Sequence, residues 1–562
     1  QSMLHDTRRI VQWTRDRTAD RELVPSQFCV EVHMFGARRS VALATAVAVV
    51  LAVAACGSGG SGGGSGSGPT LVIDSTFDLK TVDPGREYEL TGQMLTHGMY
   101  ETLLTFAGDD LTTPAPGLAS SYELSPDAKT LTLTLAQGRV FSDGSPVTAD
   151  DVVFSLQRVI GMKGNPSFLL DGVTVAKKDD TTVVLTSAEP NAALPFILPN
   201  PALSIVNSKV VTANGGTTDD KDGAEKFLNA TSAGSGPYTL KSLDVASQAV
   251  LTRNPAYNGP AKPAYDNIVI RNVQAATQVL NVQKGDSQVA LDLSGDQVSG
   301  LDQGKLTVTS GPSAYTIFLF LNQGADISTA TSNPQYVSAV KKAIDYPGLL
   351  QVAGTGSVQP ASMIPTMIAG SLPAAEAPKQ DLAGAAAALA ASGVSGQTPK
   401  LAYPSDFTLL GLSFQTLAER LQSQLAAAGI TVELAPAPVA TELDNYRNGN
   451  EQIGLWYWGP DFPDPSNYLA FTPDELIGKR ANWPAGAAPD IDRAAKAAAA
   501  AVEPAERAGL YQELQRSLNA GGPFIPLVQP ATNVVTAKSV TGAAYNPIWT
   551  IDLGAVGAAG GQ

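Results

Sequence analysis

Leu131, Leu133 and Leu135 alternate with threonines, a period of two that predicts a strand with one buried face. The following Ser142-Asp-Gly-Ser-Pro146 reads as a turn. Thr148 then caps a predicted helix whose apolar positions Val152, Val153, Leu156 and Val159 share one side, with Asp150 and Asp151 in the first turn, where carboxylates suit the helix dipole. Thr70–Asp74 is a short strand, and a second strand pair is expected around Thr182–Thr186. From about Tyr315 the pattern changes. Tyr315–Leu321 is a nearly continuous apolar strand, and Phe414, Leu417, Leu421 and Leu425 fall at helical spacing with Gly429 as the stop. Ile430–Leu434 follows as a strand. A helix around Glu442–Arg447 leads into Gln452–Trp458, which is apolar on both faces like a buried parallel strand. Pro504 suits a first helical turn, Leu510, Leu514 and Leu518 make an apolar stripe, and Pro523–Val528 is the strand after it. Alternating helix and strand from 315 to 528 argues for a Rossmann-like α/β lobe; the earlier part is strand-rich with longer connections.

The first 56 residues carry a different message. Arg38 and Arg39 precede an uncharged run, Val41–Ala55, of 15 residues. That is short of the ~20 residues a membrane-spanning helix needs, so 34–56 reads as an export signal. Val53-Ala-Ala-Cys56 matches the lipoprotein box, in which small residues precede a cysteine that becomes lipidated. Residues 1–33 lack hydrophobic periodicity and are expected to be an upstream or non-native extension, or the product of a wrongly placed start. Residues 57–68 are only Gly and Ser, a tether that cannot bury apolar area. A Gly-x-Gly-x-x-Gly and a Gly-x-Ser-x-Gly occur within it, but neither follows a strand or opens a helix, so neither marks a nucleotide site or a nucleophile elbow.

Charge and residue counts narrow the chemistry. The formal net charge is −15, and removing residues 1–55, with seven Lys/Arg and five Asp/Glu, leaves −17. An acidic body argues against nucleic-acid binding, which needs a basic footprint. After residue 55 one cysteine, Cys56, and one histidine, His97, remain. Disulfide frameworks, Cys/His metal clusters and thiol redox sites are therefore not supplied, and no cofactor or metal is expected. A Ser-His-Asp triad would have to use His97, better read as a partly buried structural histidine, so the chain is not expected to be an enzyme.

One long run carries a resemblance. Pro116-Gly-Leu-Ala-Ser-Ser-Tyr-Glu-Leu-Ser-Pro-Asp-Ala-Lys-Thr130, continued by Phe141-Ser-Asp-Gly-Ser-Pro-Val-Thr-Ala-Asp-Asp-Val-Val-Phe-Ser155, resembles the signature of the dipeptide, oligopeptide and nickel class of solute-binding proteins that feed ABC importers. Tyr122 stands for a tryptophan of that pattern, Ala128 for a glycine and Ser142 for a histidine. Thr81-Val-Asp-Pro84, Met99–Phe106, Ala233–Leu240, Val250–Tyr257 and Tyr336–Asp345 resemble further elements of the same class. The resemblance implies an α/β fold of the type II periplasmic-binding-protein kind: two lobes joined by crossing strands, with an extra domain inserted in the first. Lobe I is placed at 69–98, 203–311 and 524–562, the insertion at 99–202, and lobe II at 312–523.

Trp456-Tyr-Trp-Gly-Pro-Asp-Phe-Pro-Asp-Pro-Ser-Asn-Tyr-Leu469 is the expected ligand-contacting segment. Ligands in α/β sheets tend to sit beyond the carboxyl ends of strands, and a carboxylate there could pair with an ammonium group. The resemblance implies that Asp461, flanked by Pro460 and Phe462, holds the α-amino group of a peptide, and that Asp464 is structural. The residues alone leave Asp461 open to a turn-stabilising role, and Trp458 to either a core position or a ligand wall. On the opposing lobe Phe77 and Asp78 would offer main-chain groups to a peptide backbone. The expected function is a monomeric, lipid-anchored receptor on the outer face of the cytoplasmic membrane. It would capture a small peptide between its lobes and deliver it to an ABC permease with its ATPase subunits. Oligosaccharides, glycolipid head groups, opines and metal chelates are rival solutes on the same fold, a non-transporting envelope scaffold or sensor a rival role, and an envelope hydrolase a remote one.

Overall fold

The computed structural model describes residues 68–560 except 78 and 395. The upstream extension, the export signal, Cys56, nearly all of the Gly/Ser tether and Asp78 lie outside the described residues.

Three sheets larger than a hairpin organise the described residues. The first has seven strands, in spatial order Leu306–Pro312, Ala531–Ala537, Val289–Ala290, Thr70–Ser75, Asn267–Asn272, Gln248–Arg253 and Tyr238–Asp244. Thr70–Ser75 runs parallel to both neighbours, and the other ladders are antiparallel. The second has five strands, in order Glu433–Ala437, Lys400–Pro404, Ile453–Trp458, Thr316–Leu321 and Phe524–Val528. The third is a four-stranded antiparallel sheet, Ala119–Leu124, Thr130–Leu135, Thr182–Ser187 and Val173–Lys177, covered by the helix Ala149–Met162.

The local patterns explain these elements. Leu131, Leu133 and Leu135 are buried in one cluster with Val152, Leu156 and Val159 of the covering helix. Thr148 and Asp151 form a reciprocal capping box at the start of that helix, which satisfies two otherwise orphaned backbone donors. Thr316–Leu321 is buried throughout: Ile317, Leu319 and Leu321 face one core and Phe318 and Phe320 the other, as a central strand with both faces covered requires. Ala128, which stands where the resembled pattern has glycine, has φ 52°, in the left-handed region that favours glycine. Its N–H donates to the Ser125 carbonyl at 2.8 Å and its carbonyl accepts from Asn191 at 2.8 Å, which hold it there.

Three elements differ from expectation. The Phe524–Val528 strand, assigned to lobe I from sequence, pairs with Thr316–Leu321 in the five-stranded sheet. All five of its residues are buried, a pattern that marks a central strand without saying in which sheet. The chain crosses only afterwards, at Gln529–Pro530, beside the other crossing at 313–315; Ser313 N–H donates to the Pro530 carbonyl at 2.8 Å and the Gln529 amide to the Ser313 carbonyl at 2.6 Å. Second, the strand expected at Ile430–Leu434 runs over Glu433–Ala437, because the Ile430 N–H turns back to the Leu425 carbonyl and closes the preceding helix. Third, Ile453–Trp458 is parallel to Lys400–Pro404 but antiparallel to Thr316–Leu321.

A buried arginine joins the inserted domain to lobe I. Arg158, on the covering helix, donates to both Asp83 carboxylate oxygens at 2.7 Å and to both Asp222 oxygens at 2.7 Å. Its side chain is 2% exposed and the two carboxylates 0%. Burial alone would raise the Asp222 pKa, but the Arg158 hydrogen bonds and charge overcome it and bring the group from 3.8 down to about 2. The Arg158→Ala variant removes four hydrogen bonds from two buried carboxylates, leaving them Arg86 as their remaining cationic partner, and is expected to lose ~3–5 kcal/mol in denaturant unfolding. Because the folded pKa of Asp222 is depressed, its contribution is complete above about pH 4 and is lost as pH falls towards 2. The gap in unfolding free energy between the protein and Asp222→Asn should therefore close over that window.

Candidate functional site

The segment that leaves the Ile453–Trp458 strand is built by its own side chains. Gly459 lies against Tyr315: a Cβ there would come within 2.4 Å of the tyrosine ring, so only glycine permits this approach. Asp464 accepts the Ser466 N–H at 2.9 Å and starts the 3₁₀ turn Pro465–Phe471. The same carboxylate receives a two-pronged bond from Arg507, at 2.7 and 2.6 Å, and is buried. A paired, fully bonded carboxylate of this kind fixes the loop rather than meeting a ligand.

Asp461 is held differently. The Tyr88 hydroxyl, from the lobe I side, donates to one carboxylate oxygen at 2.8 Å, and the Asn467 amide donates to the other at 2.9 Å. Asn200, from the inserted domain, donates to the Asp461 carbonyl at 3.2 Å. Burial, then the neighbouring Asp461 charge, raise the Tyr88 pKa, so this hydroxyl stays protonated and acts as the donor. The Asp461 carboxylate is thus bonded only by neutral groups.

Around it is a cleft of about 230 Å³. Its walls come from every part of the fold: Tyr88, Glu89 and Gln93 around the start of the Leu90–Met99 helix, Asn200 from the insertion, Tyr315 beside a crossing, Tyr457, Pro460 and Asp461 from lobe II, and Tyr545 and Ile548 from the C-terminal segment. Tyr315 and Tyr457 meet edge to face, with centroids 5.7 Å apart. The structure therefore brings Pro460 and Asp461 together at the cleft. It places the other candidates elsewhere. Trp458 packs edge-on against Phe471 in the core on the far side of the sheet and donates to Asn467 at 3.2 Å. Phe462 packs against the core of the inserted domain. Phe77 lies in the lobe I core, and its N–H and carbonyl are both bonded to the Asn272 side chain, at 3.1 and 3.0 Å. Tyr88, Asn200, Tyr315 and Tyr545 went unselected in the sequence, and Tyr457 entered only as part of the Trp456–Leu469 segment. Only Tyr457 carried a signal, as the odd position between Trp456 and Trp458.

His97 lies in a separate cavity, stacked on Trp549 at 4.0 Å with its Nε2 3.7 Å from Asp552. Among the described residues no group of three or more His, Cys, Asp or Glu side chains is placed to hold a metal ion.

Comparison with known proteins defines the class. Residues 113–475 match the family of bacterial extracellular solute-binding proteins, family 5, and the chain belongs to that family. Among curated relatives, the probable D,D-dipeptide-binding periplasmic protein DdpA of Escherichia coli (strain K12) is 29% identical over 495 residues, covering 85% of this chain and 92% of that protein. Di/tripeptide-binding protein 2 of Pseudomonas aeruginosa is 26% identical over 487 residues, covering 82% and 89%. Among solved structures, the substrate-binding protein CtaP of Listeria monocytogenes superposes with a TM-score of 0.76 at 20% identity, covering 88% of this chain and all of that one. DppA of Helicobacter pylori in complex with the peptide STSA gives 0.69 at 22%, covering 87% and 98%. The fold is the two-lobed type II periplasmic-binding-protein fold.

The hydrogen bond between Tyr88 and Asp461 spans the cleft, and one to a charged acceptor contributes ~1.5–3 kcal/mol. Tyr88→Phe should let the lobes part in the ligand-free protein. The radius of gyration from small-angle scattering is expected to rise while the far-ultraviolet circular dichroism stays unchanged.

Proposed function

We propose that the protein is the receptor of an ABC importer that captures a short peptide between its lobes and hands it to a membrane permease driven by ATPase subunits. The observation that carries this reading is Asp461: a carboxylate beyond the end of a sheet strand, bonded by neutral donors from both sides of an interlobe cleft. An α-ammonium entering the cleft meets an acceptor already oriented, so little ordering remains to be done on binding. Closure about the two crossings, at 313–315 and Gln529–Pro530, then removes that contact from water and strengthens it. Binding and release, with no covalent step, are the whole mechanism, and no cofactor is required. The peptide-binding names of the curated relatives support the ligand class. The receptor would act as a monomer on the outer face of the cytoplasmic membrane, held there by a lipid on Cys56 and free to reorient on its Gly/Ser tether. A cleft of about 230 Å³ favours short peptides.

A panel of di- and tripeptides should raise the melting temperature; no shift with any member would mean the ligand class is wrong. Asp461→Ala should weaken a free-amine peptide by roughly 10–100-fold, the equivalent of a charge-assisted hydrogen bond, while barely changing its N-acetylated form. Equal losses for both forms in calorimetry would contradict the amine-anchor role.

A further inference from the structure

Neither Trp458 nor Asn467 lines the cleft, yet hydrogen bonds run from one through the other to Asp461. The Trp458 indole N–H donates to Asn467 Oδ1 at 3.2 Å. The same oxygen accepts the Asp461 backbone N–H at 3.3 Å, and Asn467 Nδ2 donates to Asp461 Oδ2 at 2.9 Å. An asparagine amide has one accepting side and one donating side, so these three bonds fix which way it faces. Turned over, its NH₂ would oppose two N–H groups and its oxygen would oppose a carboxylate. All three bonds would become repulsive contacts.

The groups on either side of that amide are themselves braced. Trp458 packs edge-on against Phe471, with centroids 5.7 Å apart, and Phe471 ends the 3₁₀ turn Pro465–Phe471 that carries Asn467. The Asn467 N–H donates to the Asp464 carbonyl at 3.1 Å, and the Asp464 carboxylate is gripped by Arg507. Trp458, Asp461 and Asn467 thus share one short segment that is tied to itself. Tyr88, the other donor to the Asp461 carboxylate, reaches it across the cleft. Parting of the lobes breaks the Tyr88 bond, whereas the Asn467 bond moves with Asp461.

Resting on the peptide-receptor reading above, we propose that Asn467 is a positioning residue for the amine anchor and that Trp458 acts through it. The indole N–H sets the amide, and the amide sets the carboxylate, so Asp461 keeps its receiving orientation while the cleft is open. Orienting a group before the ligand arrives lowers the ordering cost of binding, and only ligands that use the group benefit. The pair therefore contributes to the selection of a free α-amine, and not to affinity for the rest of the peptide.

Calorimetry with trialanine and N-acetyl-trialanine tests this on the unchanged protein, Trp458→Phe, Asn467→Leu and the double variant. Trp458→Phe keeps an aromatic ring beside Phe471 and removes the N–H donor; Asn467→Leu keeps the side-chain shape and removes the amide. Trialanine should bind about fivefold more weakly to Trp458→Phe, the equivalent of one neutral hydrogen bond, and at least about tenfold more weakly to Asn467→Leu. N-acetyl-trialanine should bind all four proteins alike. The double variant should be no weaker for trialanine than Asn467→Leu, because Trp458 has no route to Asp461 once the amide is gone. Trp458→Phe alone decides the outcome should Asn467→Leu not fold. Equal losses for both peptides overturn the proposal, since a merely structural role weakens both. The amine-anchor reading then still stands if Asp461→Ala separates the two peptides. Additive losses in the double variant overturn the action of Trp458 through Asn467, and unchanged trialanine binding in Asn467→Leu overturns the positioning role. Failure of the unchanged protein to bind trialanine overturns this proposal together with the capture of short peptides on which it rests.

Discussion

Asp461 occupies the point where the parts of this molecule meet. Its carboxylate takes a hydroxyl donor from Tyr88 on the opposite lobe and an amide donor from Asn467 on its own, and its carbonyl takes a third from Asn200 in the inserted domain. A carboxylate held by two neutral donors still has lone pairs to offer. The same contacts that bridge the cleft therefore leave acceptor capacity on Asp461.

That arrangement is placed by two buried arginines with different jobs. Arg158 ties the helix of the inserted domain to Asp83 and Asp222, and so sets the wall that carries Asn200. Arg507 grips Asp464 three residues after Asp461 and fixes the turn that follows. Each arginine neutralises the acid it holds, and neither lines the cleft.

Elements whose causes are local were legible in the sequence. The Leu131, Leu133 and Leu135 alternation, the Thr148 cap and the Leu514 and Leu518 stripe each depend on neighbours a few residues away. The sheet that receives Phe524–Val528 was not legible, since a strand buried on both faces looks the same in either lobe. The same ambiguity hid the orientation of Ile453–Trp458. With apolar residues on both faces, period two does not say whether Tyr457 or its tryptophan neighbours look into the cleft; the structure turns Tyr457 there and packs Trp456 and Trp458 into the core. Asp461 was singled out through family resemblance, and the residues alone allowed a turn role as well. Tyr88, Asn200 and Tyr545 reach the cleft from segments hundreds of residues apart, and nothing in their immediate surroundings marks them. Phe77 shows the converse: a sequence position suited to main-chain recognition, whose main chain is bonded to Asn272.

The most direct measurement is a crystal structure of the protein with a bound peptide. The account predicts the peptide between the lobes, with its ammonium nitrogen within hydrogen-bonding distance of an Asp461 carboxylate oxygen, about 3 Å, and ring faces of Tyr315 or Tyr457 beside it. A peptide bound outside the cleft, or bound within it with its amine turned away from Asp461, would contradict the account.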